Sequence, residues 1–476
     1  MFSGNLHDMT YLTRQPDTRK VPPQMKRSLY GRATALVVAA GLAFSLTACG
    51  DDEEPQQDGP VTLVVNGLPP ETEKVNREKF LADVAEFEAA NPDITIDARE
   101  GKMVPEEFQA KLAGGQLEDV FYTYFTDPAG LIARHQVADI TDYVKDFPAL
   151  AQIRPELMAV YSDDKGRVYG VPQGNYSTGL VYNRALFEKA GLDPNSPPKT
   201  WADVRTAAQK IAALGKDYVG YGEYSKNNTG GWHFTTALYS VGGDLAVNEG
   251  GTWKASFNND LGKQVLQNLK DMRWTDDSMG TRQGLEYADL LRLMGSGKLG
   301  MYLGDANMLP TIVQEYKGEY KDYGLGPIPG GTATLAGGDG YMFNAKASPA
   351  TIRAGLKWLT YAFANPDPAR IEFNTKWSSD TGSPVGLPEP QIWAGDAAKA
   401  LTDARAKYAN MPVENFSPFV NAMSTIPLKL EPPNAQALYA LLDVPMNKVL
   451  TDENADIAAL LADAETQANS ILAAVK

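Results

Sequence analysis

The stretch "GRVYGVPQGNYSTGLVYNRALFEKAGL", Gly166–Leu192, has the clearest local pattern in the chain. Two short runs rich in Val and Tyr flank a Gly-Asn-Tyr-Ser sequence, and β-branched and aromatic residues favour strands. A helical segment follows, and Gly191 stands where a helix commonly ends. The stretch therefore predicts two strands separated by a break, and then a helix.

The residues before this stretch repeat strand and helix signals. "VTLVVNGLPP" from Val61 indicates a strand that runs into a loop, residues 76–90 place apolar side chains on one helical face, and Ile94 and Ile96 alternate as in a strand. "DVFYTYF" from Asp119 indicates a further strand. Strands that alternate with helices predict an α/β architecture with a largely parallel sheet.

Helix signals continue towards the C-terminus. "TWADVRTAAQKIAAL" begins with Thr200 and has Asp203 three residues later, which resembles a capping box. The tail from Ala455 onward carries an apolar stripe at helical spacing and should pack on the rest of the protein. Trp201, Trp253 and Trp358 lie inside helical or strand patterns and are expected in the core.

The N-terminal region has the features of a secretory signal. Sixteen residues from Ala33 to Ala48 carry no charge and follow three basic residues, and this run is short for a helix that must cross a bilayer. Cys49 is the one cysteine of the chain, and "LTAC" before it resembles a bacterial lipobox. We expect a signal peptide over residues 1–48, with Met25 as an alternative start, and lipidation of Cys49.

The residues after Cys49 are acidic and contain Gln, Pro and Gly, so residues 49–60 are expected to form a lipidated tether. The alternative, a lone cysteine buried at the end of a hydrophobic helix, would leave the charge pattern on both sides unexplained.

Charge and length limit the kinds of partner. Removal of residues 1–48 leaves 38 of the 44 Lys and Arg and 57 of the 59 Asp and Glu, a net charge of −19. Such a charge makes nucleic acid and anionic membrane surfaces poor partners. About 430 residues are enough for two or three domains, and a single cysteine excludes disulfides and thiolate metal sites. We expect a two-lobed body outside a membrane.

Catalytic motifs are scarce. "GSGKLG" at Gly295 lacks the first glycine and the Ser or Thr of a phosphate-binding loop. The three histidines are His7, His135 and His233. Few residues are therefore available for a histidine-based triad or a zinc site. No catalytic residue, metal or cofactor is expected. A pair of catalytic carboxylates, as in glycosidases, remains an alternative.

Aromatic and polar residues gather where strands are expected to end. In parallel sheets ligands bind beyond the carboxyl ends of strands. A sugar offers apolar faces that suit aromatic rings and hydroxyls that suit carboxylates and amides. Tyr224 is also one of these residues, but we do not predict that it touches ligand. The residues expected to touch ligand are Tyr122, Tyr124, Asp127, Asn175, Tyr176, Glu223, Trp232, Asp305, Asn307, Asp339, Tyr341 and Trp377.

Four segments together resemble the extracellular solute-binding lipoproteins of ABC importers, in the carbohydrate group that is like maltose-binding protein. They are the lipobox, "YGVPQGNYSTGLVYNRALFEKAGLDPNSPPKTWADV", "GKLGMYLGDANM" and "GGDGYMFNAKASPATIRAGLKWLTYAFANPDPARIEF". The resemblance extends from about Val61 to the C-terminus. It implies the periplasmic-binding-protein type II fold, with two discontinuous α/β lobes joined by a hinge.

The resemblance also implies lobe boundaries. The N-terminal lobe would comprise residues 61–174 and 336–380, and the C-terminal lobe residues 175–335 and 381–476. The chain would cross between lobes near Asn175, in the strand Gly337–Phe343, and near 380–386. Asn175, Tyr176 and Ser177 would then lie at the base of a cleft.

Several site residues follow from the same resemblance. Tyr122 falls where maltose binders have a cleft tryptophan, and Asp127 falls near their acidic cleft residue. Tyr176 replaces a glutamate, Trp232 replaces a stacking tyrosine, and Asn307 stands where tryptophan is frequent.

The function that the resemblance implies is capture of a mono- or oligosaccharide and delivery to an ABC permease. The protein would be a monomer, held by its lipid on the extracytoplasmic side of the cell membrane. Two alternatives remain: a secreted, lipid-anchored glycan hydrolase, and a binding protein for a non-sugar ligand such as a peptide or polyamine. Anionic ligands fit poorly because the candidate residues are acidic and few are Arg.

Overall fold

The computed structural model describes residues 59–71, 74–101, 105–423 and 425–473. Strands and helices alternate along them, which confirms the predicted α/β class. The predicted signal peptide, Cys49 and nearly all of the tether lie outside the described residues. The strands are β1 (Val61–Leu68), β2 (Ile94–Glu100), β3 (Val120–Tyr124), β4 (Gly170–Ser177), β5 (Gly179–Asn183), β6 (Val219–Tyr221), β7 (Ala246–Glu249), β8 (Thr252–Ala255), β9 (Leu299–Gly304), β10 (Tyr323–Gly326), β11 (Thr334–Phe343) and β12 (Leu428–Leu430).

Helices cover both sheets and connect most of the strands. Four further short segments, 148–152, 159–161, 320–322 and 413–416, form single 3-10 turns. The α-helices are α1 (Lys74–Ala90), α2 (Pro105–Gly114), α3 (Pro128–Ala133), α4 (Thr141–Val144), α5 (Pro155–Met158), α6 (Arg184–Lys189), α7 (Trp201–Ala212), α8 (Thr229–Ser240), α9 (Asp260–Trp274), α10 (Tyr287–Gly295), α11 (Met308–Gln314), α12 (Pro349–Ala362), α13 (Pro368–Asp380), α14 (Gly395–Tyr408), α15 (Ser417–Met423), α16 (Ala435–Thr451) and α17 (Ile457–Leu472).

The two main sheets mix parallel and antiparallel pairs. The first has the order β12-β11-β3-β1-β2, with β4 also paired to β11, and the second has the order β10-β5-β9-β6. β1 is parallel to β2 and β3, as expected, but β11 is antiparallel to β3 and β4, and β5 is antiparallel to β9 and β10. The sheets are therefore less parallel than predicted, because β5 and β11 do not enter through helical crossovers from a neighbouring strand.

The stretch Gly166–Leu192 joins the two sheets. β4 belongs to the first sheet, β5 belongs to the second, and Thr178 alone separates them. The predicted break at Gly-Asn-Tyr-Ser was wrong, since these residues continue β4 and pair with β11. α6 follows β5, and Gly191 has a φ of +70°, as expected just beyond a helix.

The described residues form three hydrophobic cores. Val65, Phe121 and Trp358 belong to a first core, around the first sheet. The second sheet separates two further cores, because side chains alternate along a strand: Leu180 of β5 faces one and Val181 faces the other. Of the three tryptophans expected inside, Trp358 is fully buried, whereas Trp201 and Trp253 are partly buried against the second core.

One segment packs differently from the lobe boundaries drawn on the sequence. Ile392, Trp393 and Ala404 lie in the first core, and α14 packs against α13. Leu387 and Phe416 lie in the third core. We therefore propose that residues 392–404 belong to the N-terminal lobe, and that the chain crosses again after residue 404.

Candidate ligand-binding site

A cavity of about 660 Å³ lies between the two sheets. Tyr124, Asn175 and Asp339 reach it from strands of the first sheet. Asp305 reaches it from the residue after β9 of the second sheet, and Trp232 from α8. A molecule in this cavity would therefore touch groups carried by both sheets.

Strand register assembles the first-sheet wall. Asp339 of β11 is opposite Tyr124 of β3, and Gly338 is opposite Asn175 of β4. A Cβ on Gly338 would lie 2.4 Å from the carbonyl oxygen of Gly174. Glycine is thus needed at this position for β4 and β11 to approach closely enough to pair.

Asp305, directly after β9, is an acidic residue of the cavity wall on the side of the second sheet. Its side chain is 7% exposed, and its Oδ1 accepts a 2.8 Å hydrogen bond from the backbone N–H of Asn307. Burial raises the pKa of Asp305 to about 6, and the negative charge of Glu389 acts in the same direction, whereas the bond from Asn307 lowers it. The protein therefore only partly offsets the cost of burying the negative charge of Asp305.

Five aromatic side chains surround the cavity. Tyr176 and Trp232 meet edge to face with centroids 6.2 Å apart, and Tyr224 and Tyr287 are tilted at 44° with centroids 6.3 Å apart. Tyr124 contributes the fifth ring. Rings of this kind can cover an apolar face of a guest while their polar groups meet its hydroxyls.

Three buried polar atoms on the cavity wall lack a hydrogen-bond partner among the described residues. They are Oδ1 of Asn175, Nε1 of Trp232 and the hydroxyl of Tyr224, whose residue is 0% exposed. Buried polar atoms in proteins are nearly always hydrogen-bonded. These atoms are therefore candidates to bond to a molecule in the cavity.

The cavity wall is acidic. Asp305, Asp339 and Glu389 line it, and the described residues around it include no Lys, Arg or His. Burial raises the pKa of Glu389, and the guanidinium of Arg405, 3.5 Å from Glu389 Oε2, acts against this from outside the wall. The site therefore suits a guest that donates hydrogen bonds or carries positive charge, and it disfavours anions.

Seven of the residues predicted from sequence line this cavity. They come from five separate segments of the chain. They are Tyr124, Asn175, Tyr176, Trp232, Asp305, Asn307 and Asp339.

Three predicted residues lie elsewhere. Tyr122 is buried behind the wall, and its hydroxyl donates a 2.6 Å hydrogen bond to Oδ2 of Asp339. Tyr341 is buried and stacks on Phe363 with centroids 5.2 Å apart. Trp377 lies on α13, where Lys79 approaches its ring. Tyr122 and Tyr341 face each other across β3 and β11 on the same side as Tyr124 and Asp339, but two residues away along each strand, where they are covered.

Asp127 and Glu223 line different, smaller cavities. The Asp127 carboxylate accepts a 2.9 Å hydrogen bond from the backbone N–H of Tyr124, and burial raises its pKa to about 7. Glu223 is 4% exposed and hydrogen-bonds to Nδ1 of the fully buried His233, next to a cavity of about 270 Å³. Both carboxylates have protein partners, so we do not place them in the main site.

Tyr287 and Glu389 line the cavity but are not among the predicted residues. Tyr287 begins α10 and is one of 22 tyrosines, so nothing local distinguishes it. Glu389 stands between two prolines in "GLPEPQ". Such flanks mark a loop, and this was the one signal that could have drawn attention to it.

Comparison with known families gives the chain a class. The sequence profile of the bacterial extracellular solute-binding proteins matches residues 73–366, which is more than half of the 476 residues. The chain belongs to this family. The family is described as extracellular. Among the residues that the structure describes, no helix is both long and apolar enough to span a bilayer.

Curated relatives include two proteins named as sn-glycerol-3-phosphate-binding periplasmic proteins. The one from Agrobacterium fabrum is 26% identical over 316 residues, which cover 63% of each chain. The one from Brucella abortus is 30% identical over 188 residues, 38% of this chain and 40% of the relative. The solute-binding protein thus spans about two fifths to three fifths of the length of these relatives.

Solved structures establish the fold. A solute-binding protein of Thermotoga lettingae, bound with α-D-tagatose, superposes with a TM-score of 0.68 at 20% identity and covers 87% of this chain and 100% of its own. The cyclic α-maltosyl-1,6-maltose binding protein of Arthrobacter globiformis gives 0.64 at 23% identity, with the same coverage. The predicted periplasmic-binding-protein type II fold, with two lobes and a hinge, is confirmed.

Proposed function

We propose that this solute-binding protein captures a mono- or oligosaccharide between its lobes and delivers it to an ABC permease. We further propose that it acts as a monomer, lipid-anchored through Cys49 on the extracytoplasmic face of the cell membrane. One observation carries the ligand class: a cavity of about 660 Å³ between the sheets that combines five aromatic rings with acidic and amide acceptors. The tagatose bound in one similar structure and the cyclic maltosyl-maltose for which the other protein is named agree with it.

The residues fit a polyhydroxylated ring. Tyr176 and Trp232 offer aromatic surface for the C–H face of a sugar. Asn175 Oδ1, Asp305 and Asp339 accept hydrogen bonds, and each ionised carboxylate can take bonds from two hydroxyls. A phosphate ester finds no cation among the described residues of the wall, so we do not carry the glycerol phosphate of the curated relatives over to this chain.

Capture would proceed by closure of the lobes. A ligand that bridges both walls binds the closed state better than the open one, and this difference in affinity shifts the population. A shift from 1:99 to 99:1 needs about 5.5 kcal/mol. Several hydrogen bonds across the cavity, at about 1 kcal/mol each, together with one stacked ring, are of that order. The permease would then recognise the closed form.

The proposed role involves no covalent chemistry on the ligand. The relatives and similar structures that we matched are binding proteins. No group of three or more His, Cys, Asp or Glu within the described ranges could hold a metal ion. A glycan hydrolase would instead release a product from the bound sugar, and this difference can be measured directly.

A calorimetric titration of the full chain with a panel of sugars tests the function. We expect saturable binding of at least one sugar, which is recovered unchanged by mass spectrometry. Trp232→Ala should weaken binding at least about tenfold because it removes a ring of the wall, whereas Trp377→Ala should not, since that tryptophan lies outside the cavity. Product formation, or equal losses in both variants, would contradict the proposal.

A further inference from the structure

One corner of the cavity has a composition that a neutral sugar does not require. It is formed by Asp305, Glu389, Tyr224 and Tyr287, and we call it the acidic corner. We propose that the acidic corner binds a protonated amino group, so that the captured carbohydrate is an amino sugar. This inference rests on the proposed function and adds the substrate class.

The charge of Glu389 acts on Asp305 in the acidic corner. Asp305 is 7% exposed, and after burial itself the charge of Glu389 is the main influence that disfavours its ionisation. Arg405 offsets part of the charge of Glu389 from outside the wall. The described lining residues include no cation that could offset the negative charge of Asp305. An ammonium group would supply the missing positive charge, which a hydroxyl cannot do.

The two tyrosines complete the environment of a cation. Their ring centroids are 6.3 Å apart, so the two rings lie side by side on the cavity wall. Burial chiefly raises the pKa of both tyrosines, and the charge of Asp305 is the next influence on Tyr287 and the smallest of those on Tyr224. The face of an aromatic ring attracts cations, and an ammonium has three hydrogens to donate. The hydroxyl of Tyr224, 0% exposed and without a described partner, can accept one of them.

The rest of the cavity favours a ring over a simple amine. Tyr176 and Trp232 present aromatic surface, and Asn175 presents an acceptor in addition to the acidic corner. A linear polyamine has neither the flat C–H face nor the hydroxyls that would use these groups. An amino sugar uses both parts of the cavity at once.

Matched sugars separate the amine from the ring. The detergent-solubilised full chain is titrated at about pH 7 with glucose, glucosamine and N-acetylglucosamine, and with their β-1,4-linked dimers. We expect the amines to bind at least tenfold tighter than both the hydroxyl and the acetamido analogues. Putrescine serves as the amine without a ring and should bind more weakly than the amino sugars.

Variants test the acidic corner directly. Asp305→Asn and Glu389→Gln should each remove most of the tenfold preference for the amine over the matched neutral sugar. Asp217→Asn, at a carboxylate that is 81% exposed, should keep the preference. Thermal unfolding of each variant establishes that it is folded, and Glu389→Gln provides the test if Asp305→Asn does not fold.

The outcomes distinguish this inference from the proposed function. Equal affinity for glucose-type and glucosamine-type ligands would overturn the amine site and leave sugar capture standing. Tighter binding of putrescine than of any amino sugar would overturn the ring. If no sugar of any kind binds, or if a bound sugar is cleaved, the proposed function itself fails.

Discussion

The hydroxyl of Tyr122 donates a 2.6 Å hydrogen bond to Oδ2 of Asp339, although the two residues are 217 positions apart in sequence. Antiparallel pairing of β3 and β11 brings them together. Tyr122 is buried and Asp339 lines the cavity, so a core residue fixes the orientation of a carboxylate in the site.

Tyr122→Phe should therefore weaken ligand binding about three- to tenfold, because Asp339 loses its fixed orientation. We expect a loss of about 1 kcal/mol in the free energy of unfolding, as for a typical hydrogen bond. Calorimetry and thermal unfolding measure the two quantities. Tyr341→Phe is the matched control, since Tyr341 is equally buried but stacks on Phe363. Equal effects of both variants on affinity would show that the bond to Asp339 does not matter.

Asp305 should make stability depend on pH. Its pKa is raised from 3.8 to about 6 in the folded protein, chiefly by burial, so the folded state binds a proton more readily than the unfolded state. This group therefore favours folding below about pH 4, and the benefit is lost as pH rises through 6. At pH 7, Asp305→Asn should stabilise the ligand-free protein by on the order of 1–3 kcal/mol.

The comparison is made by chemical unfolding at pH 4, 5, 6 and 7 without ligand. The advantage of Asp305→Asn should shrink as pH falls and vanish near pH 4. Asp217→Asn, whose carboxylate is 81% exposed, should give a flat difference. A destabilised Asp305→Asn at pH 7 would mean that the carboxylate is better compensated than its surroundings indicate.

Gly338 should be intolerant of any side chain. The Cβ of alanine would lie 2.4 Å from the Gly174 carbonyl oxygen and 2.6 Å from the ring of Phe125. Gly338→Ala should cost about 1–3 kcal/mol in the free energy of unfolding and should also lower affinity, because β4 carries Asn175 and Tyr176. Gly114→Ala, with its nearest neighbour at 3.7 Å, should be nearly neutral. Normal affinity in Gly338→Ala would show that the strands can separate without disturbing the site.

Local chemistry made much of the fold predictable. Thr200 and Asp203 form the expected capping box of α7, and the stripe of α17 packs into the second core through Leu461, Ala464 and Ala468. These features depend on residues a few positions apart. Seven cavity residues were predictable because polar and aromatic residues at strand ends meet at one edge of a sheet.

The remaining errors share a physical cause. Side chains two residues apart on a strand share a face, so which of them lies at the cavity depends on what distant segments pack over the strand. Tyr122 and Tyr341 share a face with Tyr124 and Asp339 but lie two residues away along each strand and are buried, whereas Tyr124 and Asp339 line the cavity. Glu223 was misplaced because its partner, His233, lies ten residues further on and is buried with it.

Cys49 can be tested in cells. Cys49→Ser removes the thiol that lipidation of the predicted lipobox would require, so the variant should leave the membrane fraction or accumulate unprocessed. Immunoblots of membrane and culture fractions measure the change, with Trp377→Ala as a control that leaves the signal region intact. Normal processing with full membrane retention would contradict the lipid anchor.

The buried pair of Glu223 and His233 should stabilise the protein and support the site. The two side chains are 4% and 0% exposed, and the imidazole stacks on Tyr224 with centroids 4.0 Å apart. His233→Ala leaves the carboxylate buried without this partner, which should cost about 3–5 kcal/mol. It should also lower affinity, since Tyr224 loses the ring that holds it at the cavity wall. Glu223→Gln can keep a hydrogen bond to the imidazole, so it should cost less than half as much. Unfolding curves and titrations of both variants test this, and a larger loss in Glu223→Gln than in His233→Ala would contradict it.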